Sequence, residues 1–322
     1  MDNKYIGHEN QFYGVEEVRL VGGKGDGMRM FQVRNGAGLE FAVSVDRAAD
    51  IVRLSFDGVN CGYFSPCGYV APAYYDKEGL NFLKSFTAGF ITTCGLANVG
   101  APCEDEGEIC PQHGTIHNIP AEHAYYYIEN EEIHIKATIR DAQLFGRKLV
   151  LEREYVAPLG KNELYINDTI KNIGCEESPL AMLYHCNLGY PLLSEDTEIN
   201  IPSVEVVPTS EHAASGLDKH QTMEEPQLGY KEMCYYHTLK GTPEITAYNK
   251  KLGKKLTMSY DTAELPYFCE WKVMGENEYV LGIEPGIARP YPRDRARRDG
   301  ILDFIRPGEV RRQTLKFTFD RD

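Results

Sequence analysis

The feature that most constrains this chain is a period-two alternation of apolar and polar side chains that returns from one end to the other. Leu39, Phe41, Val43 and Val45 show it, as do Ile133, Ile135, Ala137 and Ile139, and again Leu315, Phe317 and Phe319. A repeat of two places these side chains on one face of an extended segment, so each reads as a half-buried strand. Between Thr246 and Tyr260, two alternating segments flank Lys250-Lys251-Leu252-Gly253-Lys254-Lys255, the pattern of a hairpin with a charged, glycine-containing turn. Helical spacing is missing: no window of a dozen residues sustains an i, i+3, i+4, i+7 apolar pattern. The best helix candidate, Lys77 to Phe86, is short and contains Gly79. No fixed-period repeat, low-complexity tract or Pro/Gly/Ser linker divides the chain. The expectation is an all-β fold, a large antiparallel β-sandwich forming a single domain over residues 1–322.

Composition narrows the partners. Asp and Glu outnumber Lys and Arg by 48 to 34, a formal charge of −14, which argues against general affinity for nucleic acid or for an acidic membrane surface. No stretch of about 18 apolar residues occurs, and the opening MDNKYIGHENQFYG lacks the apolar core of a signal peptide. A cytoplasmic protein with a small-molecule ligand is expected, as a monomer or homodimer. The nine cysteines are an odd, scattered set, which suits reduced thiols.

Two stretches break the strand rhythm and read as functional loops: Thr92 to Ala121 and Glu284 to Gly300. His185 follows the apolar run Leu180 to Tyr184 and precedes Asn187 and Gly189. An imidazole at a strand end can exchange a proton near neutrality, and the alternative is a core histidine satisfied by backbone groups. Glu284 ends the apolar run Tyr279 to Ile283; burial there would raise its pKa toward that of a useful base, whereas an exposed turn position or pairing with Arg289 would not. Cys110, His113 and His117 have metal-ligand types at local spacing, but a tetrahedral site needs a fuller ligand set. Arg289, Arg293, Arg295, Arg297 and Arg298 are interleaved with Asp294, Asp299 and Asp303. Most of these should form solvated pairs, leaving one or two guanidinium forks for a ligand. Arg47, between Asp46 and Asp50, fits either a buried ion pair or a ligand clamp. No GxSxG elbow, GxxxxGK[ST] loop or HExxH helix is present.

The order of several short motifs adds a resemblance. His113-Gly114, Tyr184-His185 with Asn187, Gly282-Ile283-Glu284-Pro285 and Arg306-Pro307-Gly308-Glu309 together resemble the aldose 1-epimerase superfamily over most of the chain. DRAADI, TTCGLANVG, YHCNLGYP and EWKVMGENEYVLGIEPG resemble a galactose-mutarotase-like branch of it. The resemblance implies a supersandwich with a sugar cleft on one sheet, and an isomerase that needs no cofactor and no metal. It implies that His185 protonates the ring oxygen, that Glu284 takes the proton of the anomeric hydroxyl, and that His113 helps hold the sugar. Arg47, Asn98, Asn187, Glu232 and Arg289 are the candidate substrate contacts. Gly95-Leu96-Ala97-Asn98-Val99-Gly100 stands where that family carries an asparagine-arginine pair, and Thr115 where arginine is expected. A non-catalytic carbohydrate-binding or sensing protein on the same fold is the alternative function, and a metal-dependent sugar isomerase a third.

Overall fold

The computed structural model describes residues 3–322. Among them the alternating segments pair into antiparallel sheets. A five-stranded meander runs in chain order through Tyr13–Arg19, Arg29–Asn35, Leu39–Ser44, Asp50–Phe56 and Val59–Asn60. An eight-stranded sheet follows the order His123–Glu129, Glu132–Ala142, Lys148–Pro158, Glu163–Asn172, Val310–Arg321, Lys254–Tyr260, Glu244–Asn249, Thr197–Asn200. The third sheet orders Glu205–Pro208, Met233–Thr238, Tyr267–Gly275, Glu278–Gly286, Ser178–Gly189 and Asp303–Ile305, with Ile91–Leu96 also paired to Ser178–Gly189. The last strand of the chain sits in the middle of the eight-stranded sheet, between Glu163–Asn172 and Lys254–Tyr260, so it is tied to the middle of the sequence by long-range pairing.

The core lies between the eight-stranded sheet and the two others. Ile133, Ile135, Ala137 and Ile139 are buried in alternation with exposed or half-buried neighbours, and Leu315, Phe317 and Phe319 do the same on the last strand. Phe317 meets Phe90, while Phe56 meets Phe319 from the meander side. At roughly 25 cal/mol per Å2 of apolar surface removed from water, such interdigitated rows supply the main drive to fold. The alternation that identifies these strands is thus the one that fills the core.

Three expectations are refined. The 246–260 hairpin is present as Glu244–Asn249 paired with Lys254–Tyr260. The helix candidate at 77–86 contains only a 3-10 turn, Asn81–Lys84; its two phenylalanines, Phe82 and Phe86, are buried together with ring centroids 4.9 Å apart. The loop beginning at Glu284 contains a short α-helix, Arg293–Arg298, supported by Arg298–Asp294 and Arg295–Asp299 pairs at i, i+4. All nine cysteines are free, and no helix among the described residues is long and apolar enough to cross a membrane.

Candidate active site

Strand register builds the site. The pairings Cys186 with Ile283 and Leu183 with Gly286 bring His185 beside Glu284. His185 also pairs with Thr92, and Glu284 pairs with Cys269, which pairs in turn with Tyr236. Register partners in an antiparallel sheet project to the same side. Thr92, His185, Glu284, Cys269 and Tyr236 therefore form one row across one face, with Trp271 displaced by two residues along the same face. Gly282 makes room within it: a Cβ at that position would lie 2.4 Å from Glu284 Oε1 and 3.0 Å from the Trp271 Cβ.

His185 and Glu284 are both buried, and His185 Nδ1 lies 3.1 Å from Glu284 Oε1. Asn187 fixes the ring, for its amide nitrogen donates to the His185 carbonyl and its Oδ1 sits 2.6 Å from His185 Nδ1. Nδ1 is therefore the proton-bearing nitrogen of the neutral ring, and Nε2 is left for a ligand. Burial, with His113 adding repulsion, pushes the His185 pKa down to about 3, although the Asn187 bond opposes this. Burial also raises Glu284 well above the ordinary carboxyl range, with the charge of Glu232 adding to the rise. Both effects favour uncharged forms, so the carboxyl keeps its proton beside the Nδ1–H of the neutral ring. The approach of His185 Nδ1 to Glu284 Oε1 lacks hydrogen-bond geometry, so this oxygen accepts no hydrogen bond within the protein. A buried carboxyl oxygen without a partner costs about 1–3 kcal/mol, a cost that a ligand hydroxyl would relieve.

A loop wall closes over this row. His113 holds a left-handed backbone, φ 56°, and accepts a hydrogen bond from the Gly100 amide at Nδ1, leaving its Nε2 as a donor. Its ring is 5.6 Å from His185, and burial lowers its pKa to about 4. Phe82 packs on His113 and His117, and Phe86 on His185 and Trp271. Trp271 in turn stands 5.1 Å from the His185 ring and donates its indole N–H to Glu232 at 2.8 Å. Beyond Phe86 and Trp271 opens a cavity of about 430 Å3 bordered by Tyr63, Tyr230, Glu232 and Glu278. Glu232 thus stands exposed at the mouth of the cleft.

The other expected contacts lie elsewhere. Arg47 forms neither of its two expected arrangements: its Nε and Nη1 donate to the carbonyls of His117, Val70 and Ser85, bracing the loop wall, and burial lowers its pKa to about 10. Asn98 is spent on structure, donating to the Pro111 carbonyl and accepting from the Arg293 amide. Asn187 likewise spends its amide on His185, its nitrogen donating to the carbonyl and its Oδ1 lying against Nδ1. Arg289 stands on the site face among Tyr236, Tyr267 and Tyr291.

Cys110, His113 and His117 do not converge. Cys110 Sγ contacts the Glu108 carbonyl, and neither His117 ring nitrogen has a partner. The metal-capable group among the described residues is His220, His237 and Glu270, where both rings meet Glu270 Oε2, at 2.7 and 3.1 Å. Glu270 alternates with Cys269, so this group is on the sheet face opposite Glu284. Sequence reasoning missed it, and missed Trp271, Phe82 and Phe86 too. The one available signal was that Trp271 is the only tryptophan, two residues from Cys269 on a period-two strand.

The model of a family described as a domain of unknown function, DUF4432, matches residues 25–319. No curated protein matches the sequence. Among solved structures, a Klebsiella pneumoniae protein provisionally described as an aldose 1-epimerase is 26% identical, with 96% of this chain and 84% of that one covered at a TM-score of 0.92. The galactose 1-epimerase of Lactobacillus acidophilus is 14% identical, covering 96% and 99% at 0.65. A galactose mutarotase-like protein of Clostridium acetobutylicum is 13% identical, covering 97% and 100% at 0.67. The fold is therefore the galactose mutarotase-like supersandwich of the aldose 1-epimerase superfamily, as the motifs imply.

Proposed function

Because the chain belongs to the DUF4432 family, whose description names no activity, we propose one from its site: a sugar mutarotase that interconverts aldose anomers by acid–base ring opening. The observation that carries this reading is the buried His185–Glu284 pair, with one carboxyl oxygen unpartnered and one imidazole nitrogen free. The mutarotase-like structural neighbours support it as an isomerase.

Mutarotation needs a proton removed from the anomeric hydroxyl and another delivered to the ring oxygen. A sugar hydroxyl on Glu284 Oε1 stabilises the carboxylate, because hydrogen bonds to the charged form lower a pKa. His185 Nδ1 already carries a proton, so the carboxyl proton reaches the other ring nitrogen, Nε2, by relay through hydroxyls in the cleft, giving the imidazolium and carboxylate that the reaction uses. Glu284 accepts the anomeric proton, His185 donates to the ring oxygen, and the bond between the anomeric carbon and the ring oxygen breaks. The resulting aldehyde rotates about its bond to the next carbon, and the reverse transfers close the ring on its other face. His113 Nε2–H holds a sugar hydroxyl, Glu232 accepts another at the mouth, and Trp271 and Phe86 cover the apolar face of the ring.

Anomer-exchange NMR tests the reading. Glu284→Gln and His185→Asn should each slow exchange by about 100-fold or more, the ordinary scale of a positioned acid or base, with sugar affinity changed far less. Wild-type rates in both variants would remove this pair from the chemistry. Tight binding by the wild-type protein without any exchange would instead assign the site to carbohydrate recognition.

A further inference from the structure

Five arginines crowd residues 289–298, and four of them are matched. Arg293 meets Asp105 at 2.7 Å and Glu108 at 2.8 Å, and Arg297 meets Asp105 at 2.7 Å. Arg298 pairs with Asp294, and Arg295 with Asp299. Arg289 is the exception. Among the described residues its side chain makes no ion pair and no hydrogen bond, and its guanidinium is held only by the rings of Tyr236, Tyr267 and Tyr291 at 5.4 to 6.0 Å. It is also partly buried. A guanidinium carries five N–H donors, and ring faces offset its desolvation by only about 0.5–2 kcal/mol without satisfying any of them. In a chain of net charge −14, an arginine kept from every carboxylate is set apart from its surroundings.

Its position connects it to the reacting pair. Tyr236 is in the row that contains His185 and Glu284, two strands from Glu284, or roughly 10 Å at the ordinary strand spacing. Tyr267 is paired with Gly286, so it projects from the same face one step along. The ring hydroxyls of Tyr236, Tyr267 and Tyr291 likewise have no protein partner. The Arg289 fork, ringed by these tyrosines, thus stands on the sheet face that carries the reacting pair. Carboxylates and phosphates are what such a fork fits, through two parallel charge-assisted hydrogen bonds.

We propose that Arg289, with the tyrosines around it, is an anion subsite, and that the preferred substrate is an aldose bearing a phosphate or carboxylate remote from its anomeric carbon. The proposal rests on the mutarotase reading, since it extends the same cleft away from His185 and Glu284. Glu278 and Glu232 border the cavity on the Trp271 side of the row, and Tyr267 with Arg289 lies on the opposite side along the strand, so the charged end of the sugar is oriented toward Arg289 and away from them.

Glucose, glucose 6-phosphate and glucuronate, compared by anomer-exchange NMR at low salt, test it. The wild-type kcat/KM for at least one anionic sugar should exceed that for glucose by tenfold or more and fall as salt rises. Which of the two is favoured distinguishes phosphate from carboxylate. In Arg289→Met the anionic-to-neutral ratio should drop at least tenfold, with partial recovery in Arg289→Lys. Inorganic phosphate should compete with the anionic sugar in the wild-type protein, a measurement that needs no variant. Equal handling of all three sugars, or a preference that survives Arg289→Met, overturns the subsite while leaving mutarotation intact. Calorimetric binding of an anionic sugar that is lost in Arg289→Met, without exchange of any sugar, upholds the subsite and overturns mutarotation.

Discussion

Tyr184 and His185 are consecutive residues on one strand, and they face two opposite treatments of buried polarity. The Tyr184 hydroxyl points into the core and donates to Asp168 at 2.8 Å. Asp168 also receives Arg153 Nη2 at 2.7 Å and Nε at 2.9 Å, and Arg153 Nη1 reaches Asp50 at 2.7 Å. Asp50 in turn accepts from the amide and hydroxyl of Thr93. Burial works against the Arg153 charge, but Asp168 foremost, with Asp50, outweighs it and holds the pKa well above its ordinary value, so the guanidinium charge stays even though burial raises the Asp50 pKa. On the other face, His185 and Glu284 have only each other and Asn187, one carboxyl oxygen is unpartnered, and both groups are pushed toward neutrality. A buried charge met from all sides is fixed; a buried pair left short of partners keeps a proton that can move. One β-strand supplies both, because its side chains alternate.

The contrast can be broken most directly at Asp168. Asp168→Asn removes the main counter-charge of Arg153 while keeping its shape, and leaving one member of a buried pair uncompensated costs about 3–5 kcal/mol. Urea unfolding should register that loss. A cost below about 1 kcal/mol would mean that the core network is no more committed than the cleft pair.

Glu284→Gln should act in the opposite sense on stability, with a dependence on pH. The folded-state pKa of Glu284 is raised above its unfolded value, so its contribution is complete below the ordinary carboxyl pKa and is lost as pH rises through the folded value. Glutamine has no such slope. The variant should therefore gain on the wild-type protein steadily from about pH 5 upward, by about 1–2 kcal/mol at mild alkalinity, the scale of an unsatisfied buried polar group. A constant difference across pH would show that Glu284 ionises as freely as an exposed carboxylate.

How much of this contrast was legible in the sequence follows from which contacts are local. The strands were legible because Ile133 to Ile139 and Leu315 to Phe319 display their burial in their own spacing. His185 and Glu284 could be singled out by type and strand end, but their 3.1 Å approach is a matter of register between strands almost a hundred residues apart. Asn98, Asn187 and Arg47 all stand near cleft motifs, where polar side chains that serve a ligand and those that serve the fold look alike in sequence. What separates them is which carbonyl or ring each one meets, and that is fixed by tertiary pairing. Of the arginine cluster, only the fold reveals that Asp105, nearly two hundred residues away, claims Arg293 and Arg297 and leaves Arg289 unmatched. The His220–His237–Glu270 group was invisible for the same reason.

The smallest expected effect concerns Asn187, and it sharpens the comparison because Asn187 is the one firm constraint on the cleft pair. In the core, Asp168 is fixed by three donors; in the cleft, His185 is oriented by a single acceptor, Asn187 Oδ1, at 2.6 Å. That acceptor keeps the proton on Nδ1 and so leaves Nε2 for the sugar. It also raises the His185 pKa, against the downward effect of burial, so its removal should lower that pKa further. Asn187→Ala should cost roughly tenfold in kcat, about 1.4 kcal/mol of barrier, through a ring that spends part of its time as the wrong tautomer. The readout that a merely structural role would not move is the tautomer itself. Nitrogen-15 NMR of labelled histidine should give one Nδ1–H form at His185 in the wild-type protein and a mixture in Asn187→Ala. Asn187→Asp, which keeps the acceptor, should restore the single form even where its added charge alters the rate. A wild-type ring already mixed between tautomers would place the control of that proton with Glu284 instead, and the cleft pair would then have no fixed member at all.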